Sequence, residues 1–148
     1  MATLAPAAAI RWSGQVAATL PELAALRSFL AAALERCGWD EANIFRVLVC
    51  ADEAAANALT HGSRAGGAIG AAFKVGLSGA TVLIVDDCAS GEPIPDAPST
   101  PAEVSEHGRG LILMRVLSDR MHIMRRPGRT SVALKFSLDR AVLTGGVR

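Results

Sequence analysis

The residues with the clearest chemistry are an acid, an amide and an imidazole at successive four-residue steps, Glu53, Asn57 and His61, followed by Gly62. Residues four apart lie on one face of an α-helix. A carboxylate there can handle a proton, and a carboxamide oxygen can hold a metal ion. The pattern therefore predicts a site for a magnesium-bound nucleotide, with Glu53 taking the proton and Asn57 holding the magnesium. His61 is a further candidate for binding the nucleotide. The alternative is that it only caps the end of the helix, where a positive charge is favoured.

The segment that carries these residues has the signals of a helix over 41–61, capped by Asp40 and stopped by Gly62. At 100° per residue, one apolar stripe faces the core, and it comprises Val47, Leu48, Ala51, Ala55 and Ala58. The acid, the amide and the imidazole fall on the opposite side of the helix. Their neighbours on that side are small or apolar, namely Val49, Cys50, Ala54 and Ala56. Such surroundings predict the wall of a pocket, and a solvated polar face is the alternative.

A second candidate group follows an apolar, strand-like run. A carboxylate at Asp87 can accept a hydrogen bond from an exocyclic amine, as on adenine, and Gly91 would let the backbone approach a ring. Alternation along the strand puts Leu83, Val85 and Asp87 on one face, and Asp86 on the other. The alternative is an ordinary turn after a strand.

A third candidate group opens a helix at Gly108-Arg109-Gly110-Leu111. Free backbone amides at a helix start, without side chains in the way, favour phosphate. Arg109 can contact a terminal phosphate, or it can simply be solvated. Thr130, just before the last strand, can reach a ligand, although hairpin chemistry explains it equally well.

Hydrophobic periodicity and turn residues predict eight elements in the order strand, two helices, two strands, helix, two strands. Their predicted ranges are 8–17, 19–38, 41–61, 69–77, 81–85, 110–120, 121–125 and 132–138. Between the third strand and the third helix, residues 91–108 carry four prolines, which is typical of a lid or a disordered segment. Tight turns between consecutive strands favour an α+β fold: one mixed, mostly antiparallel sheet with about three helices on one face.

Composition limits the function classes. The chain has 148 residues, 51% apolar content and a net charge of +1, which predicts one domain with a real core and gives no support to direct nucleic-acid binding. Three widely spaced cysteines argue against a zinc site and a disulfide framework, and favour a reducing cytoplasm. We expect no signal peptide and no membrane span, because neither pattern is present.

Together these motifs resemble the GHKL superfamily of ATPases, which includes gyrase, heat-shock chaperones and sensor histidine kinases. Within it the chain is most similar to the stand-alone anti-sigma factor serine kinases, over residues 8–138. The resemblance implies a Bergerat-type, two-layer α/β sandwich that binds ATP and Mg²⁺. Glu53-x-x-x-Asn57-x-x-x-His61 matches the family's N box, which implies magnesium coordination by Asn57 and a general-base role for Glu53.

The resemblance also covers the glycine-bearing segments. It implies that Asp87 with Gly91 forms the first glycine box, in which Asp87 is the adenine partner. It also implies that Gly108-x-Gly110-Leu111 forms the second glycine box and that Thr130 belongs to the closing strand. One departure is Ala89, where the family usually has the first glycine of Asp-x-Gly-x-Gly. A methyl group there can crowd adenine or forbid a positive φ angle.

The resemblance predicts an ATP-dependent protein-serine kinase that phosphorylates a STAS-type anti-anti-sigma partner and sequesters a sigma factor. It also implies a homodimer formed through the first strand and helix. A degenerate module that binds its partner without phosphorylating it is one alternative, motivated by Ala89. A histidine-kinase catalytic domain acting in trans is another.

Overall fold

The computed structural model describes residues 8–62, 67–86 and 109–138. The predicted lid and the tail from residue 139 lie outside these ranges. Within them the order of elements is the predicted one, with boundaries moved by a few residues. The elements are β1 (Ile10–Ala17), α1 (Leu20–Arg36), α2 (Glu41–Asn57), a π-helical turn (Ala58–Gly62), β2 (Ala68–Val75), β3 (Gly79–Asp86), α3 (Arg109–Leu117), β4 (Arg120–Arg126) and β5 (Arg129–Ser137).

Both long helices begin at the predicted caps. The side chain of Thr19 accepts a hydrogen bond from the backbone N–H of Glu22, and Asp40 accepts one from Asn43 at 2.8 Å. The second helix ends differently from the prediction, because α-helical geometry stops at Asn57 and a π-helical turn continues to Gly62. Turns of this kind are frequent at functional sites.

The sheet has the strand order β1-β2-β3-β5-β4. All four pairings between the described strands are antiparallel, so the parallel pairing of a mixed sheet does not occur among them. Helices α1 and α2 cover one face, and the hydrophobic core lies between the two layers. The predicted two-layer α+β fold is therefore confirmed. No helix in the described ranges is long and apolar enough to cross a membrane.

Helix α2 is buried on two sides. Val47, Leu48 and Ala55 are buried on the predicted core stripe. Cys50 and Ala54, on the other side, are also buried, because α3 packs against α2 there. Glu53, on this second side of α2, therefore lies against another helix rather than on a free surface.

Arg46 joins α2 to the ends of α3 and β5. Its Nη1 donates to the backbone carbonyl of Leu117 at 2.9 Å and to Asp119 Oδ2 at 3.3 Å, and its Nη2 donates to the carbonyl of Ser137 at 3.1 Å. Asp119 Oδ2 also accepts a bond from the backbone N–H of Ser137 at 2.6 Å. The guanidinium carbon lies 5.5 Å from the centre of the Phe136 ring. Because the guanidinium is planar and carries several N–H donors in a fixed fork, Arg46 reaches both carbonyls at once.

We expect Arg46→Ala to lower the free energy of unfolding by about 2–4 kcal/mol, because partly buried carbonyls lose charge-assisted donors. Arg46→Lys should lose roughly half as much, since it keeps the charge but not the fork or the stacking on Phe136. Urea denaturation with an unchanged m-value measures both.

Arg27→Ala is the control for this prediction, because Arg27 makes an exposed ion pair with Asp52. Its loss should cost less than about 1 kcal/mol. Equal losses for Arg46→Ala and Arg27→Ala would contradict the structural role of Arg46.

Candidate functional site

Glu53 lies against the start of α3. A Cβ atom added to Gly110 would be 2.5 Å from Glu53 Oε2 and 3.6 Å from Glu53 Cβ. Only glycine at this position leaves the carboxylate its present place. The half-buried acid is thereby held at the amino end of a helix, where free N–H groups and the helix dipole favour negative charge.

Asn57 is the last residue of α2 and is 9% exposed. Its Nδ2 atom is inaccessible to solvent and has no hydrogen-bond partner among the described residues. A solvated polar face therefore does not describe Asn57. A buried amide without a partner is uncommon in proteins and is a feature that a ligand can satisfy.

The predicted small-residue wall around these two side chains is partly present. Cys50 and Ala54 are buried and Val49 is half-buried, whereas Ala56 is exposed. Burial raises the pKa of the Cys50 thiol to about 11, against a smaller opposing effect of the Arg46 charge. The thiol is therefore neutral at ordinary pH and belongs to the apolar wall.

The carboxyl end of β3 supplies an acid that sequence analysis had set aside. Asp86 is 2% exposed and lies on the helix-covered face, opposite Thr130 of β5, which is 1% exposed. Thr130 in turn pairs with Arg125 of the edge strand β4. Asp86, Thr130 and Arg125 thus form one row across the inner face of the sheet.

Leu83 and Val85 share one face of β3, as alternation predicts. That face points away from the helices, while Val82 and Ile84 are buried beneath them. The phase could not be determined from β3 alone, because both of its faces are apolar. Asp87, Gly91 and Gly108 themselves lie outside the described residues, and so does Ala89.

The end of α2 and the end of β3 lie at the same end of the domain. The π-helical turn that follows Asn57 contacts β3. Val85, next to Asp86, pairs with Gly70 near the start of β2, the strand that follows this turn. The backbone of His61 belongs to this π-helical turn, and the structure does not describe its side chain.

The start of α3 provides the remaining predicted residues. Arg109 is exposed, Gly110 is buried against Glu53, and the side chain of Leu111 lies in the hydrophobic core. Leu111 can therefore offer a ligand only its backbone N–H. Sequence reasoning did not single out Arg125 and preferred Asp87 to Asp86, because inward-facing charge near the strand ends is visible only once the strand phases are known.

The donor set fits a magnesium ion that is brought by phosphate rather than held by the protein alone. No group of three His, Cys, Asp or Glu side chains in the described ranges can hold a metal. Mg²⁺ in nucleotide sites needs few protein oxygens, because phosphates and water supply the others. The buried amide of Asn57 and the glycine in the first turn of α3, Gly110, are consistent with such a site.

The comparisons with known proteins agree with this geometry. A solved structure of the RsbU and RsbW domains of Rv1364c from Mycobacterium tuberculosis has a TM-score of 0.66 and 20% sequence identity to the chain. The match covers 90% of the chain and 33% of that structure, so the chain spans one third of its length and shares its fold. No curated protein matches the chain. The family model for the histidine kinase-like ATPase domain matches residues 16–136. With the helix-borne acid and amide, the glycine-opened α3 and the five-stranded sheet in place, the chain belongs to the histidine kinase-like ATPase domain family.

Proposed function

We propose that the chain is an ATP-dependent protein-serine kinase and anti-sigma factor, which phosphorylates a STAS-type anti-anti-sigma partner and sequesters a sigma factor. The observation that carries the proposal is the Glu53 carboxylate held against Gly110, one helical turn from the buried amide of Asn57. Family membership supports ATP binding, and the similarity to the RsbW-containing structure supports the same fold.

In this proposal each group has one task. The free N–H groups at the start of α3, from Arg109 to Leu111, bind phosphate oxygens. Asn57 would hold the magnesium ion through its carboxamide oxygen, and that ion, when bound, neutralises charge on the phosphoryl group. Glu53 accepts the proton of the substrate serine as its hydroxyl attacks.

The adenine contact needs a carboxylate on the inner face of the sheet. Asp86 meets this requirement, since it is buried at the end of β3 beside Thr130. We therefore propose Asp86, rather than Asp87, as the acceptor for the exocyclic amine of the purine. In this register the two glycine positions of the family motif are Cys88 and Ser90.

A second candidate function follows from that register. With neither glycine present, the adenine pocket is more crowded than in the family pattern. A module that binds its partner without phosphorylating it is favoured by this observation. The deciding experiment is incubation with labelled ATP, Mg²⁺ and candidate STAS domains. Acid-stable label on the partner supports the serine kinase, acid-labile label indicates phosphohistidine, and partner binding without label selects the binding module.

Glu53→Gln should retain ATP affinity and reduce phosphoryl transfer by at least about 100-fold, the usual contribution of a general base. Gly110→Ala should also lower transfer, because its methyl group displaces the Glu53 carboxylate, which is the flexible partner in that contact. Single-turnover transfer and fluorescent-ATP binding separate the two effects.

Arg115→Ala, an exposed change on the same helix, is the control for Gly110→Ala. Full transfer by Glu53→Gln would contradict the base assignment. Unchanged transfer by Gly110→Ala would show that the contact with Glu53 is not used.

Asn57→Ala should not lower the free energy of unfolding and should raise it by at most about 1 kcal/mol. The reason is that it removes a buried donor that has no partner among the described residues. The same change should abolish magnesium-dependent nucleotide binding, measured by calorimetry with and without Mg²⁺. A less stable variant with normal magnesium dependence would identify Asn57 as a purely structural residue.

Asp86→Asn should weaken ATP binding about tenfold or more, since an amide that replaces the acceptor presents a donor to the purine amine. Asp87→Asn should change it much less. GTP, which carries a carbonyl in place of that amine, is the readout that separates a purine contact from simple destabilisation, because Asp86→Asn should narrow the preference for ATP over GTP. If Asp87→Asn weakened ATP binding more than Asp86→Asn did, Asp87 would be the residue that binds the purine amine.

Dimer formation and a cytoplasmic location belong to the same proposal. Among the described strands, β1 lies at the edge of the sheet and pairs on one side only, which supports association through β1 and α1. Phe29 and Leu20 of α1 are exposed apolar side chains next to that edge and support the same interface.

A further inference from the structure

The face of the sheet opposite the helices carries one row of cations. Cross-strand pairing places Arg11 opposite Lys74, Lys74 opposite Thr81, Thr81 opposite Lys135, and Lys135 opposite Arg120. All five side chains are exposed. We call this set the basic row; it crosses all five strands and spans about 19 Å at the usual strand spacing.

The basic row is costly for the isolated fold. Like charges directly opposite each other on neighbouring strands are destabilising, and the row contains two such pairs, Arg11 with Lys74 and Lys135 with Arg120. None of the four cations makes an ion pair within the described residues, where the salt bridges involve Arg27 and Arg46. No acidic side chain projects from the described part of this face.

Behind the basic row the face is mostly apolar and concave, and two open cavities of about 650 and 490 Å³ lie over it. Half of the ten outward positions in the next two rows are Ala, Gly or Ser; Leu83 and Val85 lie at the centre, and Gln15, His122 and Met124 lie on the edge strands. We call these two rows the small-residue floor. Small side chains allow another protein element to approach the backbone closely. The floor carries no Phe, Tyr or Trp on which nucleic-acid bases could stack, and its one aromatic ring is the imidazole of His122 on the edge strand β4.

A second copy of the chain does not complement this face. The basic row closes one end of the small-residue floor, and Arg126 and Arg129, paired with each other, lie at the other end. A two-fold axis that lies in the interface, parallel or perpendicular to the strands, would set the basic row of one copy against either its own equivalent or these two arginines. Both arrangements place cations against cations.

We propose that the open face of the sheet docks an acidic protein surface, in the form of an amphipathic helix that sets carboxylates along the basic row and small apolar side chains on the floor. The cations then gain the partners that the described residues do not give them. This surface lies on the opposite side of the sheet from Glu53 and Asn57, so it does not depend on the proposed nucleotide site.

The test uses a synthetic helical peptide with glutamates on one face and Ala and Leu on the other, labelled with fluorescein and titrated with the full chain. We expect saturable binding that weakens as salt rises from low to physiological concentration. Thr81→Glu should weaken binding at least about tenfold, because it places a carboxylate between Lys74 and Lys135 and repels the peptide. ATP-analogue affinity, measured in the same samples, should not change.

The controls separate folding from docking. Thr81→Gln has a similar size without the charge and should bind the peptide as the wild type does. Thr81→Glu pairs with two lysines across the strands, so its melting temperature should not fall. The double change Arg36→Glu with Arg115→Glu lowers net charge on the helix layer and should leave peptide binding nearly unchanged.

Four results would overturn the proposal. The peptide binds Thr81→Glu as tightly as wild type, or a version with Gln in place of every Glu binds equally well. A single-stranded oligonucleotide or vesicles of anionic lipid bind more tightly than the peptide, with the same sensitivity to Thr81→Glu. The chain forms a dimer in light scattering that Thr81→Glu dissociates, which would make the open face a self-association surface.

Discussion

Helix α2 is covered on two sides at once, by the sheet and by α3, and the candidate site depends on that double burial. Val47 and Leu48 face the sheet, while Cys50 and Ala54 face the second helix. Because the residues on both sides are small or apolar, the two helices can pack closely. Glu53 and Asn57 project from the second side; Glu53 is half-buried against Gly110 of α3, and Asn57 is buried.

Helix α3 is held at both of its ends by α2. At its start, Gly110 leaves room for the Glu53 carboxylate. At its end, Arg46 donates to the carbonyl of Leu117, one of the groups that a helix terminus leaves without an internal partner. With both ends fixed, the free N–H groups at the start of α3 keep a constant position relative to the acid. That is the kind of preorganisation that phosphoryl transfer requires.

Successive side chains of a strand point to opposite faces of the sheet, and the two faces of this sheet carry different polar groups. Inward positions at one end carry Asp86, Thr130 and Arg125, beneath the helix layer. Outward positions at the other end carry the basic row. A shift of one residue in β3 would exchange its buried and exposed sets, so the core contacts of Val82 and Ile84 fix both surfaces together.

Local sequence patterns determined where the helices begin, how consecutive strands pair and which helical face carries the acid and the amide. Caps at Thr19 and Asp40 set where α1 and α2 begin, and turn residues between consecutive strands, such as Gly128 with φ +72°, set the antiparallel hairpins. The four-residue spacing of Glu53 and Asn57 put an acid and an amide on one helical face. These features depend on neighbours within one or two turns of chain, so a sequence pattern is sufficient to predict them.

Tertiary structure alone decided which acid of β3 faces the helices and which side chains meet across the sheet. Both faces of β3 are apolar, so its phase became definite only when Val82 and Ile84 packed beneath the helices. Arg46 contacts carbonyl groups 71 and 91 residues away, and the basic row joins strands that are not consecutive in sequence. Contacts over such separations follow from how the layers pack, and no local spacing in the chain encodes them.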